Sequence, residues 1–168
     1  MKYTSAELGK ILLKLQEEHA CIESTENDSM LFLASLGEDV ESVRPAYDYE
    51  ETQKQLSGLE AKIRKIKHAL NVFNASTVIP GFDMTIDEML VYMPQLTAKL
   101  RKLRKMSLAL PKARYNSKYE RTNIIDYQYA NYDIAAVKAD YDALSDELYK
   151  AQLALDEVNH NAVLEIEI

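Results

Sequence analysis

The stretch IAAVKADYDALSDELYKAQLALDEVNHNA, residues 134–162, decides the fold class because it has the pattern of one long amphipathic helix. Its apolar residues recur at alternating spacings of three and four, which is typical of the seam of a packed helix. Asp133 can cap the amino terminus, so the sequence predicts a helix over about 133–161. Nine successive seam positions carry no charge: Ile134, Val137, Tyr141, Leu144, Leu148, Ala151, Leu155, Val158 and Ala162.

The same seam recurs in three earlier stretches, which predicts helices over about 4–24, 49–74 and 85–110. Two of them open on a capping box, in which a Thr is followed three residues later by a Glu. Pro94 should kink the third helix, but the apolar phase continues across it and favours one helix over two. The boxes are Thr4 with Glu7 and Thr85 with Glu88.

Two irregular segments interrupt these helices, at 25–48 and at 111–133. Each holds a short run rich in apolar, β-branched or aromatic residues, at 30–34 and at 121–129, and the sequence leaves open whether the two runs pair as strands. The predicted fold is therefore all-α, a single domain over 1–168. We expect an antiparallel, coiled-coil-like bundle of four helices, with room for a small two-stranded β element.

The composition narrows the class of protein. Only 4 Gly and 4 Pro occur among 168 residues, and 28% of residues are charged, which favours long helices. The net charge of −7 argues against general affinity for nucleic acid or anionic lipid. A single cysteine, Cys21, the absence of a signal-peptide pattern and the short apolar runs predict a cytoplasmic protein without a membrane span.

No pattern of catalytic or metal-binding residues is complete. Di-metal bundles need a Glu-x-x-His motif on each of two helices, and only Glu157 with His160 has that spacing. The residue three before His19 is Gln16, and the residue three before His68 is a lysine. No phosphate loop or nucleophile elbow occurs, so we expect no catalytic residues, no metal and no cofactor.

A basic and aromatic segment at 99–121 is the candidate nucleic-acid surface. No acid occurs between Glu88 and Glu120, and cations can follow phosphates while tyrosine rings stack on bases. The preferred interpretation is that this basic helix packs against acidic helices and forms flanking ion pairs. The residues of the patch are Arg101, Lys102, Arg104, Lys105, Arg114 and Tyr115.

The corner NVFNASTVIPGFDMTIDEM, residues 71–89, is the candidate ligand or partner site. Most of its polar residues have local tasks: Asn74 would end one helix, Pro80 and Gly81 would form a turn, and Thr85 would cap the next helix. Asn71 lacks a capping task, so it is the residue to suspect, with Thr77 closing over it. The interpretation as a helix corner is favoured over a site.

The stretch KIKHALNVFNASTVIPGFDMTIDEML, followed by LRKLRKM, resembles the central region of small bacterial proteins called septicolysin-like, which are helical and of unknown function. The closing segment from Ala136 also resembles that family's final helix, with Asn159 or Asn161 at its end. This chain departs where the family has an Arg-Asp pair, near Tyr92 and Met93. The matching positions are Asn71, Asn74, Thr77, Gly81 and Thr85.

The resemblance implies a fold more than an activity, and no segment is apolar enough to form a pore. We expect a non-enzymatic structural or protein-interaction bundle that self-associates and binds an unidentified protein partner. The alternative is a nucleic-acid-binding protein that uses the patch at 99–121.

Overall fold

The computed structural model describes residues 1–115 and 125–167 and is mainly helical. Four of its five helices are long, and its six strands form three two-stranded antiparallel ladders. The elements are β1 (Lys2–Thr4), α1 (Ser5–Ser29), α2 (Val40–Val43), α3 (Tyr49–Ser76), β2 (Val78–Ile79), β3 (Met84–Thr85), α4 (Ile86–Ser107), β4 (Lys112–Tyr115), β5 (Asp126–Tyr129), α5 (Ile134–Asn161) and β6 (Val163–Glu165).

The chain divides into two compact units, one formed by Met1–Ser76 with Val158–Ile168 and the other by Thr77–Glu157. In the first unit, α1 packs antiparallel along α3, because residues later in α1 contact residues earlier in α3. Glu26 near the end of α1 accepts a hydrogen bond from Gln53, and His19 lies near Glu60. The apolar side chains that become buried in this unit are Leu8, Leu56, Leu59 and Ile66.

The first unit is completed by a ladder between β1 and β6, which joins the two ends of the sequence. Tyr3 pairs with Leu164, and Lys2 pairs with Glu165, their side chains 3.2 Å apart. Local sequence patterns do not show this pairing because its partners are more than 150 residues apart.

The second unit contains α4 and most of α5, which run antiparallel. Tyr92 on α4 donates a hydrogen bond to Glu147 on α5, and Tyr132, just before α5, donates to the carbonyl of Met106 at the end of α4. The fully covered side chains lie on the predicted seams, except for Ile79, which lies on β2. They are Ile79, Ile86, Met89, Leu96 and Ala151, with Val137 and Leu155 nearly as buried.

The predicted amino-terminal caps are confirmed, and the helix bounds shift by a few residues. Thr4 and Thr85 both form complete capping boxes, and Asp133 accepts a hydrogen bond from the backbone N–H of Ala135 at 2.8 Å. The third long helix, α4, is continuous through Pro94, as the seam predicted. It ends at Ser107, however, and Leu110 lies beyond it with 66% of its surface exposed.

The prediction that the first helix ends near residue 24 was wrong, because α1 continues to Ser29. Its last turn is polar and gives no seam signal. Contacts with the following chain hold it instead: the Glu26 carboxylate accepts hydrogen bonds from Tyr47 at 2.6 Å and from Gln53 at 2.8 Å.

Within the described residues, the two irregular segments do not pair with each other. Residues 30–34 form no strand, and the hydrogen-bonding partner of β5 is β4, with Ala113 opposite Gln128. The β-branched and aromatic run thus pairs with its near neighbour, which costs less loop-closure entropy than pairing with a segment ninety residues away. Positions 121–124 of the predicted strand lie outside the described residues.

Candidate functional site

The connection between α1 and α2 presents three leucines to solvent. We call residues 30–38 the leucine loop. The exposed fractions of Leu31, Leu33 and Leu36 are 80%, 95% and 109%. Leucines exposed to this extent within six residues of chain form an apolar surface that the rest of the molecule does not cover.

Contacts within the neighbouring backbone and side chains hold the leucine loop in shape. Arg44 forms two hydrogen bonds with Glu41, at 2.9 and 3.0 Å, and its guanidinium lies 5.3 Å from the centre of the Phe32 ring. Ser35 and Glu38 exchange hydrogen bonds, and Gly37 supplies a φ of +90°, which glycine adopts readily. Phe32 is therefore partly covered, while the leucines on either side of it are not.

Beside the loop, Glu26 connects the end of α1 with the start of α3. Its carboxylate accepts the hydroxyl proton of Tyr47, and this hydrogen bond raises the pKa of Tyr47 to about 12, with smaller contributions from burial and from the negative charge. A tyrosinate beside the carboxylate would lose the hydrogen bond and be repelled. The neutral tyrosine is therefore strongly favoured at this position.

An open groove of about 760 Å³ lies between α1 and α3. His19 is partly buried here, with Nδ1 3.3 Å from the Glu23 carboxylate and Nε2 3.5 Å from that of Glu60. The helices contribute residues at spacings of three and four, so one face of each forms the lining. The lining residues are Gln16, His19, Ala20, Glu23, Glu60, Ile63, Arg64, Lys67, His68 and Asn71.

The charges in this groove are separated along its length. Glu23 and Glu60 lie at one end, beside His19, while Arg64 and Lys67 lie further along α3. Most of these side chains are exposed, so they are available to a partner. Among residues 1–115 and 125–167, no group of three or more His, Cys, Asp or Glu side chains is arranged to hold a metal ion.

Asn71 and Asn74 belong to the first unit and Thr77 and Thr85 to the second. Asn71 is exposed and lines the groove, although the sequence placed it at the helix corner. Asn74 does not end its helix as predicted, since α3 continues to Ser76. The left-handed conformation is instead adopted after the helix, by Gly81 with φ +83° and Asp83 with φ +48°.

In the second unit, the corner is a short β-hairpin. Val78 pairs with Thr85, and the backbone N–H of Phe82 donates to the carbonyl of Ile79 at 3.3 Å across Pro80 and Gly81. Proline followed by a residue of positive φ is the pattern of a type II turn. The predicted turn is confirmed, while the flanking strands were missed because each has only two residues.

Thr77 and Thr85 both stabilise the start of α4. The Thr77 carbonyl accepts the backbone N–H of Ile86 at 3.0 Å. The Thr85 backbone N–H and hydroxyl donate to Glu88 at 2.8 and 2.9 Å, and these hydrogen bonds lower the pKa of Glu88. Both threonines therefore have structural tasks, as the interpretation of this stretch as a corner expected.

A second Tyr–Glu pair joins α4 to α5. Tyr92 lies near the position where the septicolysin-like pattern has its Arg-Asp pair. The hydrogen bond that its hydroxyl donates to Glu147 raises the pKa of Tyr92. This hydrogen bond links α4 to α5, so the Tyr92 hydroxyl has a structural role.

The basic surface consists of the exposed cations at the end of α4 and of β4. Arg101, Lys102, Arg104 and Lys105 are all exposed, and none of them forms an ion pair with another described residue. The predicted flanking ion pairs with acidic helices are therefore not formed within the described part of the chain. Arg114 and Tyr115 lie on β4, both exposed.

Next to this surface, Lys112 has aromatic neighbours on the paired strand. Its ammonium lies 4.1 Å from the centre of the Tyr127 ring and 5.4 Å from that of Tyr129, both within cation–π range. Residues 116–121 of the predicted patch lie outside the described residues. The basic and aromatic residue types thus meet on the β4–β5 ladder, as the composition of the segment suggested.

Sequence reasoning missed the leucine loop and most of the groove. The sequence leaves open whether residues 30–34 pair as a strand, whereas the glycine and the Arg44–Glu41 spacing that follow them indicate a turn. The groove residues occupy polar helix faces, and only the three-residue and four-residue spacing of Glu60, Arg64 and Lys67 could have marked them as one surface.

No family model matches this chain, and no curated protein matches it. A solved structure does match, namely the crystal structure of a functionally unknown conserved protein from Corynebacterium diphtheriae, with a TM-score of 0.64. The two chains are 17% identical, and the match covers 98% of this chain and 100% of the other. At this identity the likeness shows the fold alone.

Proposed function

We propose that this protein is a non-enzymatic protein-interaction module. The observation that carries the proposal is the leucine loop, which holds Leu31, Leu33 and Leu36 in water on an ordered turn. Contiguous exposed apolar surface of this kind marks interaction sites in soluble proteins. Burying a leucine side chain is worth about 1.5–3 kcal/mol, so a partner that covered all three would gain several kcal/mol.

The shape of the loop adds to this argument. Arg44 packs on Phe32 and is fixed by Glu41, so the loop is ordered before a partner arrives. Binding then costs less conformational entropy than it would for a disordered segment. The partner that fits is a protein with an apolar groove or patch, since three leucines offer no charge or hydrogen bond of their own.

The test compares the wild-type chain with a Leu31→Ser, Leu33→Ser, Leu36→Ser variant as bait in native lysate, using quantitative mass spectrometry. A matched variant changes Leu13, Val91 and Leu153 to Ser; these are also exposed, at 51–58%, but lie on helices. We expect a partner that the wild type and the matched variant retain and that the loop variant loses. Equal recovery by all three baits would contradict the proposal.

Four finer features belong to this proposal. The heptad-like seams favour an antiparallel, coiled-coil-like arrangement of the four long helices, and the exposed apolar residues favour self-association. The single cysteine favours a cytoplasmic location, and the residues around Asn71 favour membership of the septicolysin-like family. No helix among the described residues is long and apolar enough to cross a membrane.

The second candidate function is binding of single-stranded nucleic acid, which is favoured by the exposed cations of the basic surface, since Arg101, Lys102, Arg104 and Lys105 form no ion pair with another described residue. If it operates, a labelled oligonucleotide should bind with an affinity that falls by about 0.7 log units per phosphate contact for each decade of salt. Changing Arg101, Lys102, Arg104 and Lys105 to Ser should abolish that binding. Fluorescence anisotropy measures the oligonucleotide affinity at low and at near-physiological salt. Binding that is absent or insensitive to salt would exclude this candidate function.

A further inference from the structure

The groove between α1 and α3 has opposite charges at its two ends. Glu60 and Lys67 lie on the same face of α3, seven residues and therefore about 10 Å apart along the helix. Arg64 lies between them, and Glu23 of α1 lies at the acidic end. The surface thus changes from negative to positive over two turns of helix.

The same groove also contains small and apolar side chains. Ile63 on α3 lies between Glu60 and Lys67, and Ala20 on α1 lines the groove next to His19. Ala20 is exposed and Ile63 is partly so, so neither is fully covered by the chain itself. A small apolar centre with charged flanks is the arrangement found where helices dock on one another.

We infer that this groove is the contact surface between two copies of the chain, related by a two-fold axis that crosses the helices near Ile63. This inference rests on the self-association proposed above. The axis reverses the direction of the groove, so Glu60 of each copy faces Lys67 of the other. On α1 the same axis crosses near Gln16, because the antiparallel packing that places His19 beside Glu60 brings Gln16 level with Ile63.

The charge order favours a second copy over other occupants. A surface that is negative at one end and positive at the other is complementary to itself once it is turned end for end, which is the requirement of an isologous contact. A small anion would meet the carboxylates of Glu23 and Glu60, and a small cation would meet Arg64 and Lys67. The parallel arrangement would place like charges opposite each other, so the charges also set the direction of pairing.

His19 positions one member of the proposed pair. Its two ring nitrogens lie 3.3 and 3.5 Å from the carboxylates of Glu23 and Glu60, one on each helix. These contacts restrict the carboxylate of Glu60 to the groove side of α3. Less side-chain entropy is then lost when Glu60 meets Lys67 of the second copy.

Charge reversal tests the pairing directly by sedimentation equilibrium of the full chain. Glu60→Lys and Lys67→Glu should each weaken the dimer by about tenfold or more, because each creates two like-charge pairs across the axis. An equal mixture of the two variants should recover the dimer, since the mixed pair is complementary at both contacts. The double variant, Glu60→Lys with Lys67→Glu, should also recover it.

Lys65→Glu is the matched control, because it makes the same charge change on an exposed part of α3 that does not line the groove. It should leave the dimer unchanged, and circular dichroism should show the same helicity in every variant. A monomeric wild type would overturn the inference, while the leucine-loop experiment would still decide the proposed function. A dimer that persists in every variant would overturn the groove contact and leave self-association standing.

Discussion

Tyr47 offers a residue-scale test of the link between α1 and the chain that precedes α3. Its raised pKa, about 12, exceeds the ordinary tyrosine value near 10. The hydrogen bond to Glu26 therefore contributes its full stability below pH 10 and loses it as the pH rises through 12. We expect Tyr47→Phe to remove the phenol that ionises near pH 12, measured by absorbance at 295 nm.

The comparison for that titration is Tyr49→Phe, which removes one exposed phenol close by. The difference curve between the wild type and Tyr47→Phe should be centred near pH 12. A difference curve centred near pH 10 would show that Glu26 does not hold the Tyr47 proton in solution.

Thr85 is the second residue-scale test, because its hydroxyl forms two hydrogen bonds of one capping box, donating to the Glu88 carboxylate and accepting from the Glu88 backbone N–H. We expect Thr85→Ala to lower the free energy of unfolding by about 1 kcal/mol at pH 7. The pKa of Glu88 is depressed in the folded chain, so its contribution is present above its unfolded pKa and is lost as the pH falls through the folded value. The effect of Thr85→Ala should therefore shrink in acid.

Urea unfolding at two pH values measures this difference. Ser57→Ala, at an exposed position within α3, is the control and should change the free energy of unfolding by no more than about 0.5 kcal/mol. An effect of Thr85→Ala that stays constant from neutral pH into acid would contradict the coupling with Glu88.

At the scale of elements, replacing two glycines by alanine should change the free energy of unfolding in opposite directions. Gly81 has φ +83° in the turn between β2 and β3, where a Cβ is strained although the space around it is open. We expect Gly81→Ala to lower the free energy of unfolding by about 1 kcal/mol. Gly58 lies within α3, also with open space, so Gly58→Ala should raise it by about 0.5–1 kcal/mol.

Each change is read from the urea midpoint of the helical circular dichroism signal. Asp83→Gly is the companion at the other left-handed position, φ +48°, and should be neutral or stabilising because glycine accepts this conformation freely. If Gly81→Ala and Gly58→Ala changed stability in the same direction, the turn assignment would be wrong.

Elements with strong local signals were predictable from the sequence, and elements made by distant contacts were not. The seam of α5, the capping boxes at Thr4 and Thr85 and the Pro80–Gly81 turn all depend on residues within one or two turns of chain, and all are confirmed. The pairing of β1 with β6 depends on residues at opposite ends of the sequence. Three-residue strands carry too little periodicity to reveal such a partner.

In the candidate site, too, features with a local sequence signal were predictable and features made by distant contacts were not. Asn71 could be singled out from sequence because it had no capping task, and it does line the groove. The opposite wall of that groove comes from α1, and only the packing of the two helices shows that His19 lies beside Glu60. The sequence leaves the conformation of the leucine loop open, because a run of apolar residues gives no sign of whether its side chains are covered.

At the scale of the whole molecule, the stability of the first unit should depend on the pairing of β6 with β1. Deleting residues 162–168 removes β6 and leaves β1 without a partner. We expect the melting temperature of the first unit to fall by about 4 °C or more, since about 1 kcal/mol of stability is lost with the ladder. Hydrogen exchange read by mass spectrometry should show faster exchange at residues 2–4.

Deleting only residues 167 and 168, which follow β6, is the control for that truncation and should leave exchange at 2–4 unchanged. The second unit, residues 77–157, should keep its exchange pattern in both truncations because it contributes no strand to the β1–β6 ladder. Unaltered exchange at residues 2–4 after the longer deletion would show that the ladder adds no stability.

The β1–β6 ladder also has a consequence for the order of events during synthesis. A ribosome makes residues 1–76 first, but their unit lacks its last strand until residues 163–165 have been translated. At about 5–20 residues per second, the nascent chain spends several seconds with that strand position empty. The second unit, whose residues are contiguous, can complete its folding earlier, although residues 1–76 of the first unit are synthesised before it.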